Sequence, residues 1–221
     1  MNRIDLTLDD MANNKFLTMY STLIKRFAAS TEFSTSEVVS LLIVFYKYAL
    51  NNRSRMMSTS QLYNLFLVSF GIFDVTIIDR ISMNITQDSR SVSPEAWMRL
   101  FCVFFTGNLQ ERIKFAFEVY TSGGTVVLNR EVVGVAIEKF FTGDDEDEVN
   151  ELRADMCEFI FGKFDTDKDG VIAFEEYAEI VQNQPRLLEF LGKIFPDDKD
   201  ISLVAYCHNI ESMFPPEAFI K

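Results

Sequence analysis

Residues Phe164 to Tyr177 read "FDTDKDGVIAFEEY", and the spacing within them decides the fold. Asp165, Asp167 and Asp169 stand at alternate positions, Gly170 follows at once, and Glu176 occupies the twelfth place counted from Asp165. Calcium is a hard cation that takes roughly six to eight oxygen ligands in a flexible shell. Carboxylates in the first, third and fifth places of a coiling chain project inward onto one point. The sixth place must turn sharply with positive φ, which Gly170 permits without a Cβ clash. Val171 then offers its backbone carbonyl, and Glu176, opening the outgoing helix, can supply two oxygens. Ala173 in the ninth place has no ligand and leaves that corner to water. A Glu in the twelfth place favours calcium over magnesium, because its longer arm can chelate through both oxygens. Four carboxylates in a complete loop predict an affinity of roughly 10⁻⁶ to 10⁻⁴ M.

A solvated acidic turn is the plain alternative, but five specified positions match the helix–loop–helix calcium hand, or EF-hand, within helical flanks. Phe161 and Phe164 before the loop, with Tyr177 and Ile180 after it, give those helices apolar faces. Ile172 in the eighth place is suited to a short backbone bridge with a partner loop. Upstream, "FEVYTSGGTVVLNREV" (Phe117–Val132) keeps that frame, with Leu128 in the bridging place. Its ligand places hold Thr121, Gly123, Thr125 and Val132, and the sixth place is Val126. This hand can pair with the last one but is not expected to bind calcium. "IIDRISMNITQDSRSVSPEAWMRLF" (Ile77–Phe101) repeats the pattern with Val92 bridging, in a loop one residue short, with Arg90 among the ligand places and Ala96 in the twelfth. "YALNNRSRMMSTSQLYNLF" (Tyr48–Phe66) is a fourth relic with Arg53 and Arg55 in its loop. The expectation is four hands, one chemically intact.

Elsewhere the apolar residues recur with helical rather than alternating period. "KFLTMYSTLIKRF" aligns Phe16, Met19, Tyr20, Leu23, Ile24 and Phe27, and "STSEVVSLLIVFYKYAL" opens with Ser34 three residues before Glu37, a capping arrangement. Further helices are predicted over 60–70, 75–84, 94–105, 108–120, 129–141, 148–164, 174–182, 185–195 and 203–214, with Pro94 and Pro185 in first turns. No long strand is expected. The class is all-α: two lobes of paired EF-hands, mostly degenerate, plus C-terminal helices. The boundaries follow as an N-terminal lobe over 1–107, a C-terminal pair of hands over 108–184, and a helical tail over 185–221 packing on the second lobe. The stripe Leu187, Leu188, Leu191, Ile194 and Phe195 makes that tail suited to its lobe's own groove.

The chain has 221 residues and 22 Phe against one Trp, and Phe fills space between helices without demanding a hydrogen-bond partner. Of the net charge of −12, nearly all lies between Gly143 and Gln184, where fourteen acidic residues face three basic ones. That distribution repels phosphate backbones and argues against nucleic acid. Within it, "GDDEDEVNE" (Gly143–Glu151) lacks a ligand frame. It reads as a solvated linker, a contact for a basic partner, or a helix start where Asp147 and Glu148 favour the positive dipole end. The longest apolar run, "LLIVFY" (Leu41–Tyr46), is too short to cross a bilayer, and the opening "MNRIDLTLDD" has neither a secretion pattern nor a myristoylation Gly. Cys102, Cys157 and Cys207 lack metal-ligand spacing and read as buried, reduced thiols of an intracellular protein. Cys207 and His208, the sole histidine, are adjacent, and adjacent helical residues do not face each other. No catalytic constellation is present, so the chain is not expected to be an enzyme.

The sequence resembles the calaxin family through "FSTSEVVSLLIVFY", "FGIFDVTIIDRI", "TGNLQERIKFAFEVY", "FDTDKDGVIAFEEY" and "RLLEFLGKIFPDD". The resemblance implies a calcium-binding adaptor of the outer dynein arm region in cilia or sperm flagella, with docking-complex or dynein components as protein partners. It implies a cytoskeletal, axonemal location, with neither nucleic acid nor membrane as partner. Calcium-ligand roles carry over to Asp165, Asp167, Asp169, Val171 and Glu176 alone, hence one calcium site. The family has acidic ligands in more than one loop, and here the second and third have lost theirs. Two functions remain: a constitutive docking component of the axoneme, or a cytosolic sensor whose C-terminal lobe grips a partner helix when calcium binds. Calcium buffering is a poor third, since one weak site in 25.5 kDa stores little ion.

Overall fold

Serine and aspartate caps set where the helices begin in a computed structural model of the chain, which describes residues 4–86, 91–121, 125–197 and 199–200. Helix α1 (Asp10–Ser30) starts where the Asp9 side chain accepts the Ala12 amide. Helix α2 (Thr35–Ala49) starts in a reciprocal box between Ser34 and Glu37, as the spacing predicts. Of the stripe foreseen for α1, Phe16, Tyr20, Leu23, Ile24 and Phe27 are buried against α2, while Met19 turns outward at its margin.

Four helix–loop–helix units follow among the described residues. The first joins α2 through β1 (Met57–Ser58) to α3 (Thr59–Ser69). The second joins α4 (Val75–Thr86) through β2 (Ser91–Val92) to α5 (Pro94–Phe105). In the third, α6 (Leu109–Thr121), β3 (Leu128–Asn129) and α7 (Arg130–Ile137) are consecutive; in the fourth, α8 (Glu146–Phe164), β4 (Val171–Ile172) and α9 (Phe174–Asn183). The strands are only the bridges between loops. They pair antiparallel, Met57 opposite Val92 and Leu128 opposite Ile172. The relic over Tyr48–Phe66 is thus a hand in the structure, and Met57 is the partner that Val92 requires. Most of the phenylalanines are buried, in keeping with their space-filling role.

The N-terminal half centres on Trp97. Its indole N–H donates to the Leu41 carbonyl at 3.0 Å, tying α5 to α2, and its ring lies against Phe45 and Phe101. Edge-to-face contacts run on through Phe66, Phe70, Phe101 and Phe104. Phe104 then meets Phe115 of α6 and Phe195, so the aromatic core continues into the second half without a break. Arg80 of α4 donates to the Tyr120 carbonyl at 3.0 Å, and Lys139 pairs with Asp74, fixing the same junction from outside.

Three expectations need correction. Residues 185–195 do not form an α-helix: a 3₁₀ turn over Pro185–Leu187 leads into irregular turns, with Gly192 at φ +131°. Their backbone groups are satisfied sideways instead. Tyr177, Lys139 and Tyr120 donate to the carbonyls of Leu188, Leu191 and Gly192, and a Glu189 oxygen accepts the amides of Ile194 and Phe195. The acidic run from Gly143 is no free linker, because Asp145 caps α8 by accepting the Asp147 and Glu148 amides. Cys102 and Cys157 are half-buried rather than buried. Arg90, Ser122–Gly124, Cys207, His208 and the helix foreseen over 203–214 lie outside the described residues.

The N-terminal segment is held by one buried amide and one buried ion pair. Asn13 accepts the Ile4 and Asp5 amides and donates to the carbonyls of Asp5, Leu8 and Asp9. Asp5 pairs with Lys47 of α2 at 2.6 Å, both side chains almost fully enclosed. Burial alone would raise the Asp5 carboxyl, but the Lys47 ammonium and two hydrogen bonds from Thr7 outweigh it and hold it below the usual carboxylate range. The stability this pair contributes is present above the unfolded-state value of about 4 and is lost as pH falls through the lowered folded-state value. Acid titration should therefore release residues 4–9 before the core melts, and Asp5→Asn should abolish that early step. An early step that survives in the variant would show that another carboxylate governs it.

Candidate calcium site

The loop after α8 is built so that its own amides pre-shape its carboxylates. Asp165 accepts the amides of Asp169 and Gly170 at 3.1 Å, Asp167 accepts that of Asp169, and Asp169 accepts that of Val171 at 2.9 Å. These bonds leave one oxygen from each of Asp165, Asp167 and Asp169 within 4.8 Å of one another. Among the described residues no other trio of acidic, His or Cys side chains converges in this way. Gly170 turns the chain at φ +87°, the positive value its place requires. Lys168 also adopts positive φ, +62°, although nothing in its side chain favours it.

Glu176 reaches back across the loop from the first turn of α9. One oxygen accepts the Thr166 amide at 2.8 Å, the Thr166 hydroxyl at 2.9 Å and the Asp167 amide, and the other accepts the Ala173 amide at 2.8 Å. Partial burial works against its charge, but these donors prevail and hold its carboxyl below the ordinary glutamate value. It is therefore ionised and aimed into the loop. Thr166 is a participant the sequence reading did not single out; a hydroxyl beside the first ligand place is the signal that points to it. Val171, half-buried in β4, carries the remaining backbone oxygen. An anionic, oxygen-only donor set on a pre-turned loop fits calcium by the chemistry of the ligands.

The other loops close without such a set. In the third, the Thr121 hydroxyl turns back to the Phe117 carbonyl of its own helix, and Val126 is exposed. Asn129 in the ninth place caps the Val132 amide in the twelfth, the reverse of the Glu176-to-Ala173 contact. In the first loop, Asn52 donates to the Met56 carbonyl and to Gln61, which stands in the twelfth place, and Gln61 donates to Tyr48. Arg55 sits at the turn with φ +57° and donates to the Leu50 carbonyl. A carboxamide clamp thus occupies the middle of that loop. In the second loop residues 87–90 are outside the described residues, and Ala96 in the twelfth place is buried.

Above the last two hands, the apolar face between α6, α8 and α9 is covered by the chain itself. Phe190 lies 4.5 Å from the Phe164 ring and 5.7 Å from Tyr177, with Tyr120 edge-on at 5.5 Å. Leu188, Leu191, Ile194 and Phe195 are buried beside it. Burial pushes the Tyr120 and Tyr177 phenols well up, so both remain hydrogen-bond donors to this segment. The Cys102 thiol is likewise pushed up, to about 11, chiefly by burial, and Cys157 is raised.

Comparison with known proteins agrees with this geometry. Residues 110–182 match the family model described as an EF-hand domain pair. Calaxin from Bos taurus is 28% identical over 177 residues, covering 77% of this chain and 84% of that protein. Calaxin from Xenopus laevis is 29% identical over 175 residues, with coverage of 76% and 84%. Calaxin from Homo sapiens is 29% identical over 138 residues, with coverage of 62% and 65%. Among the described residues no helix is long and apolar enough to cross a membrane.

Proposed function

For this chain, a divergent calaxin-like, calcium-binding EF-hand protein, we propose a constitutive docking role in the axoneme, in the outer dynein arm region of cilia or flagella. Its partners are docking-complex or dynein components, and its one competent calcium loop is the last. The resemblance to calaxin supplies the setting. Asp165, Asp167 and Asp169 would hold the ion through side-chain oxygens, Val171 through its carbonyl and Glu176 through its carboxylate. Bound there, calcium would neutralise the three-carboxylate cluster and draw Glu176 onto it. The reading is non-catalytic, in keeping with the Cys102 and Cys157 thiols, whose ionisation burial disfavours.

The observation that carries the docking reading is the covered face. A sensor works by exposing an apolar groove when calcium binds. Here Phe190 and its neighbours already fill that groove, anchored by Tyr120 and Tyr177. The test is cosedimentation with salt-washed axonemes, in calcium and in chelator, for the wild type and for Glu176→Gln. Equal binding in all four conditions is expected. Binding that appears only with calcium, and only in the wild type, would replace docking by sensing.

The intact loop favours that second reading enough to give it its own measurement. Calcium should change the fluorescence of an apolar dye little with the wild type. Phe190→Ala, which uncovers Phe164 and Tyr177, should raise dye fluorescence severalfold even in chelator. A large calcium-induced rise in the wild type would mean the segment leaves its groove.

A further inference from the structure

Helix α8 is the incoming helix of the calcium loop, and its two sides differ. Ile160, Phe161 and Phe164 seat its C-terminal half in the core, while Arg153 donates at 3.0 Å to the carbonyls of Glu138 and Phe141. Among the described residues the opposite side is unpartnered. Leu152 is 43% exposed and Phe159 68% exposed. Seven residues apart, they fall on one line after two helical turns, about 10 Å from each other. Met156 is half-buried at the edge of that line. One turn further on, a side chain added at Gly162 would meet nothing, so the face stays open to the end of the helix.

Exposed Glu148, Glu151 and Asp155 share this side, at helical spacings from Leu152 and Phe159. From Asp144 to Glu158 there are eight carboxylates against Arg153, which is engaged with carbonyls. Two of them are engaged, Glu158 by Arg130 and Asp145 as the cap of α8. Lys163, one turn beyond Phe159, is a cation at the far end of this side; over the rest of it, aligned apolar anchors within a field of one sign call for an occupant of the other sign. A second copy of the chain would bring acid against acid. Nucleic acid and anionic membranes are repelled as well. Residues 201–221 carry Lys221 against Glu211 and Glu217, which gives them no cationic complement.

We propose that the outer face of α8 docks a basic amphipathic helix of a protein partner, its apolar residues on Leu152 and Phe159 and its Lys or Arg rows against Glu148, Glu151 and Asp155. This rests on the docking reading above and names the surface and the partner chemistry for it. The face lies outside the groove that Phe190 fills, so occupation needs no calcium-driven opening.

The test uses the full chain and two synthetic helical peptides with the same leucine spacing, one with lysine and one with glutamate in the polar places. Anisotropy titrations are run at low and high salt. The lysine peptide should bind, more weakly as salt rises, and the glutamate peptide should not. The double variant Leu152→Ser/Phe159→Ser should bind the lysine peptide about tenfold more weakly, with an unchanged melting temperature because both side chains face solvent. Equal affinity in the double variant would reduce the effect to diffuse attraction for an acidic surface, and binding of the glutamate peptide would remove the charge argument; either result overturns the proposal. If the double variant loses the peptide but still cosediments with axonemes, α8 is not the docking face although docking stands. If the wild type itself fails to cosediment, the docking reading falls, and the peptide titrations alone decide the surface.

Discussion

Glu176→Gln should weaken calcium binding about a hundredfold, from a stoichiometry of one in the wild type to none measurable by calorimetry at ion concentrations that just saturate the wild type. Glu176 is the one carboxylate that reaches the loop from the outgoing helix, where four donors from Thr166, Asp167 and Ala173 already fix its position. Removing a unit charge within a few ångströms of a divalent ion costs roughly 3 kcal/mol once solvent near an exposed loop is allowed for, which is about two decades in affinity. The amide also presents a donor to at least one backbone N–H that requires an acceptor, so the empty loop loses its pre-set shape. Two ions bound by the wild type, or an unchanged affinity in the variant, would place calcium somewhere other than this loop.

Trp97→Ala should be the most damaging single change to stability, at about 4 kcal/mol. The side chain is fully buried, touches Phe45 and Phe101, and spans α5 to α2 through its hydrogen bond to Leu41. The surrounding aromatic side chains are held by one another on several helices, so the space left behind cannot collapse fully. For a chain of this length the loss corresponds to a fall of roughly 10 °C in melting temperature, followed by circular dichroism because the sole tryptophan is gone. Trp97→Phe should cost much less, since it restores most of the volume. A loss below about 1 kcal/mol for the alanine variant would mean that the N-terminal core is not organised round this residue.

The fourth loop and its mate were legible because their chemistry is local. Asp165, Asp167, Asp169, Gly170 and Glu176 specify a shape within twelve consecutive residues, and the bridge of Leu128 to Ile172 follows from counting places in each loop. Val92 was legible for the same reason. Met57 was harder to see, because its loop has exchanged ligands for Asn52, Arg55 and Gln61, and positive φ at an arginine leaves no mark in the sequence. Residues 185–195 mislead for a different reason. Leu187, Leu188, Leu191, Ile194 and Phe195 have helical period, but what shapes them is the phenols of Tyr120 and Tyr177 and the amine of Lys139, all distant in the chain. Period reports which residues seek burial; the donors waiting at the burial site determine the backbone path. Thr166 and Lys168 likewise matter through the closed loop and not through any pattern of their own.

The ring contacts from Phe104 to Phe115 and Phe195 bear on mechanics. Two halves joined by a solvated tether would swing like beads on a thread, and a pull on one would be lost in slack before it reached the other. Interlocked phenyl rings leave no slack. Were the proposed docking role to hold, such a molecule would act as a strut of fixed length, keeping whatever it grips at a constant distance.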